Sequence, residues 1–131
     1  VVVEVAGGAR RPGRVLARDT DGLALVALTL GAREAPMLPA LAIAEDDRVL
    51  APEVWLLGVS VVDGQAAPAL GGLRRVDARG RWLLDLPLDR GAPVLHEGRV
   101  VAVVLVRDGR TAAIALPAGR LRALAARLSR P

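Results

Sequence analysis

Two charged residues stand in a short loop between segments that should be packed in the interior. The stretch LLDLPLDRGAPVLHEGRVVAVVLV, residues 83–106, places Asp89 and Arg90 in a loop that contains proline and glycine. Residues 100–106 are apolar and largely β-branched, which predicts a strand buried on both faces. Arg90 could bind a carboxylate or a phosphate through its planar guanidinium. The alternative is a local ion pair between Asp89 and Arg90 that only fills the loop.

Nucleophiles, bases and metal ligands are scarce in the rest of the chain. His96 is the only histidine, Ser60 and Ser129 are the only serines, and there is no cysteine. A general base needs a nucleophile within hydrogen-bond reach, and a metal site needs several ligands at a recognisable spacing. We therefore predict neither a metal nor a cofactor, and we interpret His96 as an exposed turn residue.

The charge of the chain is positive but dispersed. All eighteen basic residues are arginine, and the formal net charge is only +4. The pairs Arg10–Arg11 and Arg74–Arg75 are interpreted as solvated faces, and Trp55 and Trp82 are the only aromatic residues. Nucleic-acid surfaces combine clustered charge with stacking aromatics. We therefore do not predict nucleic acid as the partner, and a basic anion-binding or nucleic-acid-binding β domain is the alternative.

No apolar run approaches the roughly 18–20 residues that a membrane-spanning helix needs, so we predict no membrane span. The chain opens on VVVEV, with neither an initiator methionine nor a signal peptide. We expect it to be a processed product or a domain excised from a longer protein.

Short apolar segments recur at regular spacing and are separated by turn residues. This pattern predicts an all-β barrel or sandwich. After Pro117, the apolar residues Leu121, Leu124, Ala125 and Leu128 recur at helical spacing, which predicts a short C-terminal helix. The predicted strands cover residues 1–5, 13–18, 23–30, 54–62, 70–76, 81–86, 100–106 and 111–116, with a Gly7–Gly8 turn after the first.

In order along the chain, several segments resemble trypsin-like serine proteases of the HtrA/Deg type. The segments are VVVEVAGGARRPGRVLARDTDGLALVAL, LAIAEDDRVLAPEVWLLGVS, ALGGLRRV, PLDRGAPVLHEGRVVAVVL and AIALPAGRLRAL. The resemblance implies one domain with a chymotrypsin/trypsin-like double β-barrel. A truncated N-terminal barrel would occupy residues 1–49, a C-terminal barrel residues 50–116 and a C-terminal helix residues 117–129.

The same resemblance places unsuitable residues at the catalytic positions. The position of the nucleophilic serine falls on Arg90, and that of the oxyanion-hole glycine falls on Leu88. The position of the catalytic aspartate falls on Gly22, beside Asp21, and the catalytic histidine would lie upstream of Val1. Acyl transfer needs an activated nucleophile, an oriented base and free amide donors. An arginine cannot be the nucleophile. We therefore expect an inactive protease homologue.

The resemblance implies a pseudoprotease that acts in protein or peptide interaction or as a scaffold. The peptide groove would be bordered by the strand that carries Val101, Val103 and Leu105, and an upstream fragment could complete the first barrel. The alternative is part of an active serine protease, completed by another fragment. A periplasmic or secreted location is implied by the family alone.

Overall fold

The computed structural model describes residues 1–4, 9–37, 40–46 and 54–129. Ten strands and one α-helix are described, with short 3₁₀ segments at Ala35–Met37 and Arg127–Ser129. The elements are β1 (Val2–Glu4), β2 (Arg10–Arg18), β3 (Ala24–Leu28), β4 (Leu56–Val62), β5 (Gln65–Gly71), β6 (Leu73–Val76), β7 (Trp82–Leu84), β8 (Pro93–His96), β9 (Arg99–Asp108), β10 (Ala112–Pro117) and α1 (Ala118–Ala126). The prediction of a mostly β chain with a C-terminal helix is confirmed.

The chain separates into two units. Unit 1 comprises residues 1–40 and 123–131, and unit 2 comprises residues 41–122. The predicted division between residues 49 and 50 lies outside the described residues, as does the predicted Gly7–Gly8 turn.

Unit 1 contains the antiparallel sheet β1-β2-β3. Strand β2 pairs with β3 through a β-bulge between Val15 and Ala17. Beside the sheet, the guanidinium of Arg11 donates to both carboxylate oxygens of Glu34, with Nε at 2.6 and 2.9 Å. These hydrogen bonds lower the pKa of Glu34 below its ordinary value. The ion pair ties β2 to the segment that follows β3.

Unit 2 is a seven-stranded antiparallel sheet that curls into a half-barrel. Its strand order is β5-β4-β8-β9-β10-β7-β6, so β5 and β6 lie at opposite edges although Gly72 alone separates them in sequence. A short connection between opposite edges requires the sheet to curl. When β5 and β6 are counted as one bent strand, β8 returns beside β4, which is the strand order of a Greek key.

One apolar cluster fills the interior of unit 2. Its buried members come from six strands and from the segments beside them: Leu56, Leu73, Trp82, Leu84, Leu86, Leu88, Ala92, Val94, Ala102, Val104, Ala113 and Ala115. On β9, Val100, Ala102 and Val104 are buried, whereas the residues between them are only half-buried. The prediction that this strand is buried on both faces was therefore wrong. It buries one face, as expected for a strand with period-two alternation.

Each unit contains a hairpin turn of the same type. Oδ1 of Asp19 accepts hydrogen bonds from the amides two and four residues later at 2.9 and 3.0 Å. Oδ1 of Asp77 does the same at 2.8 and 2.9 Å. In each turn the residue three positions after the aspartate is a glycine in the left-handed region, Gly22 with φ 92° and Gly80 with φ 79°. The repeated D-x-x-G turn joins β2 to β3 and β6 to β7.

The C-terminal helix was predicted correctly, but its apolar stripe was not. Leu124 is buried, whereas Ala125 and Leu128 are exposed. Arg122 donates through Nη1 to the carbonyl of Ala44, which links α1 to the start of unit 2. None of the helices in the described residues is long and apolar enough to cross a membrane.

Candidate functional site at the β7–β8 corner

The corner between β7 and β8, residues 85–92, packs two leucines into the interior of unit 2. Leu86 and Leu88 are 0% and 1% exposed. Leu88 lies directly over Gly58 of β4, because a Cβ at Gly58 would stand 2.2 Å from Cδ1 of Leu88. Gly71 makes similar room for Leu86, whose Cγ would stand 2.8 Å from an added Cβ. The corner is thus anchored by its own side chains over two glycines.

The amides of the corner are used by the chain itself. Five of them donate to internal acceptors: those of Asp85, Leu88, Asp89, Gly91 and Ala92. The amide of Leu88 donates to the carbonyl of Leu86 at 3.0 Å, and that of Gly91 donates to the carbonyl of Val104 at 2.8 Å. An oxyanion hole needs amide donors that converge on the place where negative charge develops. The amide at the expected glycine position, Leu88, is already taken.

The charged residues of the corner are not paired with each other. Asp89 forms an ion pair with Arg107 of β9, with Oδ1 3.4 Å from Nη1. Arg107 is also held by its Nε, which donates to the carbonyl of Gly109 at 3.1 Å. Arg90 is exposed and forms no ion pair with any residue that the structure describes. The interpretation of a local Asp89–Arg90 ion pair was therefore wrong, because the neighbouring strand supplies the partner of Asp89.

Ser60 is the polar residue that the fold brings to the corner. It is 7% exposed on the inner face of β4, and its Oγ accepts a hydrogen bond from the amide of Asp89 at 3.2 Å. No local motif marks this serine. The alternation of β4, in which Leu56, Gly58 and Ser60 are buried in turn, is the signal that could have placed it inside.

A depression of about 230 Å³ lies between β4 and the corner. Its lining consists of Val59, Ser60, Val61, Asp89, Arg90, Gly91, Ala92 and Pro93. The lining is mostly apolar, and its charged residues are Asp89 and the exposed Arg90. This arrangement can bind an anion that carries an apolar neighbour.

The three groove candidates lie in a row on the half-buried face of β9. Val101, Val103 and Leu105 alternate with the buried residues of that strand. Strand β9 pairs with β8 from Arg99 to Val103 and with β10 from Ala102 to Asp108. The main chain around Val101 and Val103 is therefore already paired, and the pairing with β8 ends before Leu105.

Gly22, at the expected aspartate position, belongs to the β2–β3 turn of unit 1. Its φ of 92° lies in the region that favours glycine, and its amide donates to the carbonyl of Asp19 at 3.4 Å. The residue thus has a structural role in the turn.

His96 lies at the far end of β8 from the corner and lines a second cavity, of about 270 Å³. Its side chain is 21% exposed, and Nε2 stands 3.6 Å from Oε1 of Glu97. The prediction of an exposed turn residue was therefore wrong, because His96 ends a strand and is largely covered. Glu45, Asp46 and Arg99 also line this cavity. Among the described residues, no group of three or more potential ligands could hold a metal ion.

No protein-family model matches this chain, and no curated protein matches its sequence.

Proposed function

We propose that this chain is a non-catalytic homologue of the trypsin-like serine proteases, a pseudoprotease that binds protein or peptide segments. The observation that carries the proposal is the β7–β8 corner. The resemblance assigns the nucleophile to Arg90 and the oxyanion glycine to Leu88. Leu88 is a core residue and Arg90 is an exposed cation.

The chemistry of the corner supports binding rather than bond cleavage. A guanidinium is a permanent cation and hydrogen-bond donor, with no useful nucleophilicity at physiological pH. The hydroxyl of Ser60 accepts a hydrogen bond beneath the corner, and His96 lies at the opposite end of β8. A general base must lie within hydrogen-bond reach of the proton that it removes.

The architecture of unit 2 supports the trypsin-like part of the proposal. A double-barrel protease would place the corner before the fourth strand of a Greek-key barrel, and Arg90 stands three residues before β8, which lies beside β4. The D-x-x-G turn that recurs in both units fits a chain built from two related β motifs. The helix α1 follows the last strand directly, as the resemblance implies.

Peptide binding is supported by the shape of the sheet. A strand whose main chain is open on one side can accept an extended segment through backbone hydrogen bonds. Strand β9 continues four residues beyond Val104, whose amide and carbonyl are bonded to Ala92 and Gly91 of the corner, and this part begins at Leu105 of the half-buried row. A scaffold role in a larger assembly would use the same surface.

The proposal is tested with an array of extended peptides that are tethered through their carboxyl ends, so that no free carboxyl terminus is present. We expect the chain to bind a subset of apolar peptides, and we expect Leu105→Asp to weaken that binding at least about tenfold by placing a charge in the groove. Leu70→Asp, on the exposed face of β5, is the matched control and should bind normally. A chain that binds no peptide on the array, or whose Leu105→Asp variant binds unchanged, contradicts the proposed groove.

A further inference from the structure

Besides β9, strand β4 also has an edge that is partly unpaired, next to the corner. It pairs with β5 along its whole length, from Leu56 to Val62, but with β8 only at Leu57 and Gly58. In the part of the chain that the structure describes, no main-chain hydrogen bond joins residues 59–62 to the corner. The edge of β4 is therefore unpaired over residues 59–62, of which residues 59–61 line the depression.

The direction of an added strand at this edge follows from β8. Strand β8 is antiparallel to β4 and begins at Pro93, where the depression ends. A peptide that continued the position of β8 along residues 59–62, antiparallel to β4, would run in the same direction as β8. Its carboxyl end would then meet the corner. The position beside Leu57 and Gly58 is already occupied by β8, which begins at Pro93. A bound peptide therefore has to end or turn away there, and a chain terminus fits better than a continuing chain.

An exposed arginine lines the depression. Arg90 is exposed beside it, and the carboxylate of Asp89 is held by Arg107 at 3.4 Å. A guanidinium and a carboxylate form short, charge-assisted hydrogen bonds, often two at once. Arg90 is therefore placed to bind the α-carboxylate of a terminal residue.

The side chains along the same edge are apolar. Val61 and Val62 are 69% and 52% exposed, and Val59 lines the depression. The depression has a volume of about 230 Å³, bounded by Ala92 and Pro93 on the corner side. Contiguous apolar surface beside an open strand edge is typical of sites that accept an extended apolar segment.

We propose that residues 59–62 of β4 and Arg90 form a binding site for the free C-terminus of a partner polypeptide. The last four or so residues of the partner would be extended and apolar, and their α-carboxylate would bind Arg90. This inference rests on the proposed peptide-binding function. It adds a second site, separate from the β9 groove, and specifies the chemistry of its ligand.

The test uses fluorescein-labelled hexapeptides in fluorescence polarisation with the full chain. Each peptide begins with Gly-Ser and ends in four residues drawn from Val, Ile, Leu and Ala. It is made as the free acid, as the carboxamide, and as a carboxamide with Glu in the last position. We expect the free acids to bind and both carboxamides to bind at least about tenfold more weakly, because the charged hydrogen bonds to Arg90 are lost or misplaced.

Two pairs of variants assign the effect to the site. Arg90→Ala should reduce the affinity for the free acid to that for the carboxamide, while Arg110→Ala, in the exposed β9–β10 turn, should leave it unchanged. Val61→Asp should weaken binding of both forms, while Leu70→Asp, at an exposed position of β5, should not. These positions are exposed, so the variants should fold.

Equal affinity for the acid and the carboxamide, an unchanged affinity in Arg90→Ala, or no binding of any hexapeptide would each overturn this inference. Tight binding of the carboxamide that ends in Glu would overturn it too, since a side-chain carboxylate would then suffice. If the tethered peptides still bind and Leu105→Asp still weakens them, the proposed function stands and only this site is lost.

Discussion

Leu88 packs the corner onto the core, and it stands where the resemblance expects the oxyanion-hole glycine. It is 1% exposed, over Gly58, and its amide donates to Leu86. Replacing Leu88 with glycine would therefore open the core.

We therefore expect Leu88→Ala to lower the free energy of unfolding by about 2–5 kcal/mol, the usual cost of a leucine truncated in a packed core. Urea denaturation at neutral pH measures this loss. Leu70→Ala, at a position 64% exposed, is the matched control and should change stability by less than about 0.5 kcal/mol. A comparable loss in both variants would show that Leu88 is not buried as described.

Gly58 provides a second residue-scale prediction. A Cβ there would lie 2.2 Å from Leu88, so Gly58→Ala must displace that side chain and should cost about 1–3 kcal/mol. In the Leu88→Ala background the added methyl meets open space, and the same change should cost much less. The double-mutant cycle, measured by urea denaturation, would contradict this contact if the two losses were additive.

The burial of Leu88 could not be predicted from the sequence alone. It lies between Pro87 and Asp89 in a segment that has the composition of an exposed loop. The site above Gly58 that holds the Leu88 side chain exists only because the fold brings β4 beneath the corner. The exposure of Arg90, by contrast, follows from its charge and could be predicted.

Among the elements, the β6–β7 turn depends on the ionised form of Asp77. Partial burial would raise the pKa of Asp77, but hydrogen bonds from the amide and guanidinium of Arg81 and from the amide of Arg79 outweigh it and lower the pKa. A carboxyl whose pKa is lowered by folding stabilises the fold above its unfolded-state pKa, about 3.9, and loses that contribution as pH falls through the lower folded value.

We expect the urea midpoint of the native chain to decrease between about pH 5 and pH 2, and to decrease less steeply in Asp77→Ala, which lacks this contribution at every pH. Asp108→Ala, in the exposed end of β9, should retain the steep decrease. Parallel pH profiles for the native chain and Asp77→Ala would contradict the role of the turn.

The strands rich in valine and leucine were predicted from their composition, and the structure contains them. Strand β5 was largely missed, because residues 65–69, QAAPA, have low β propensity and include Pro68. It forms because every residue of β4 from Leu56 to Val62 finds a partner on it. Pairing with β4 thus outweighs the low β propensity of residues 65–69. The local sequence of β5 does not reveal this pairing.

For the molecule as a whole, the two tryptophans report on the packing of unit 2. Trp82 is 3% exposed in the core, and Trp55 is 71% exposed before β4. The Trp55→Phe protein, which retains Trp82, should emit at shorter wavelength and resist acrylamide quenching. The Trp82→Phe protein should emit at longer wavelength and be quenched readily. Similar emission and quenching in the two variants would contradict the described core.

The serines of the chain distinguish a binding protein from a serine hydrolase. Ser60 and Ser129 are the only serines, and Ser60 is buried beneath the corner. A fluorophosphonate reacts with a serine only when a base and an oxyanion hole activate its hydroxyl.

The most direct test of the proposed function is the intact mass of the chain after incubation with a fluorophosphonate, with an active trypsin-like protease as the positive control. The proposed non-catalytic function predicts that the mass of the chain is unchanged while the control is fully labelled. A single phosphonyl adduct that peptide mapping places on Ser60 or Ser129 would contradict it and would show that an activated serine has survived in this fold.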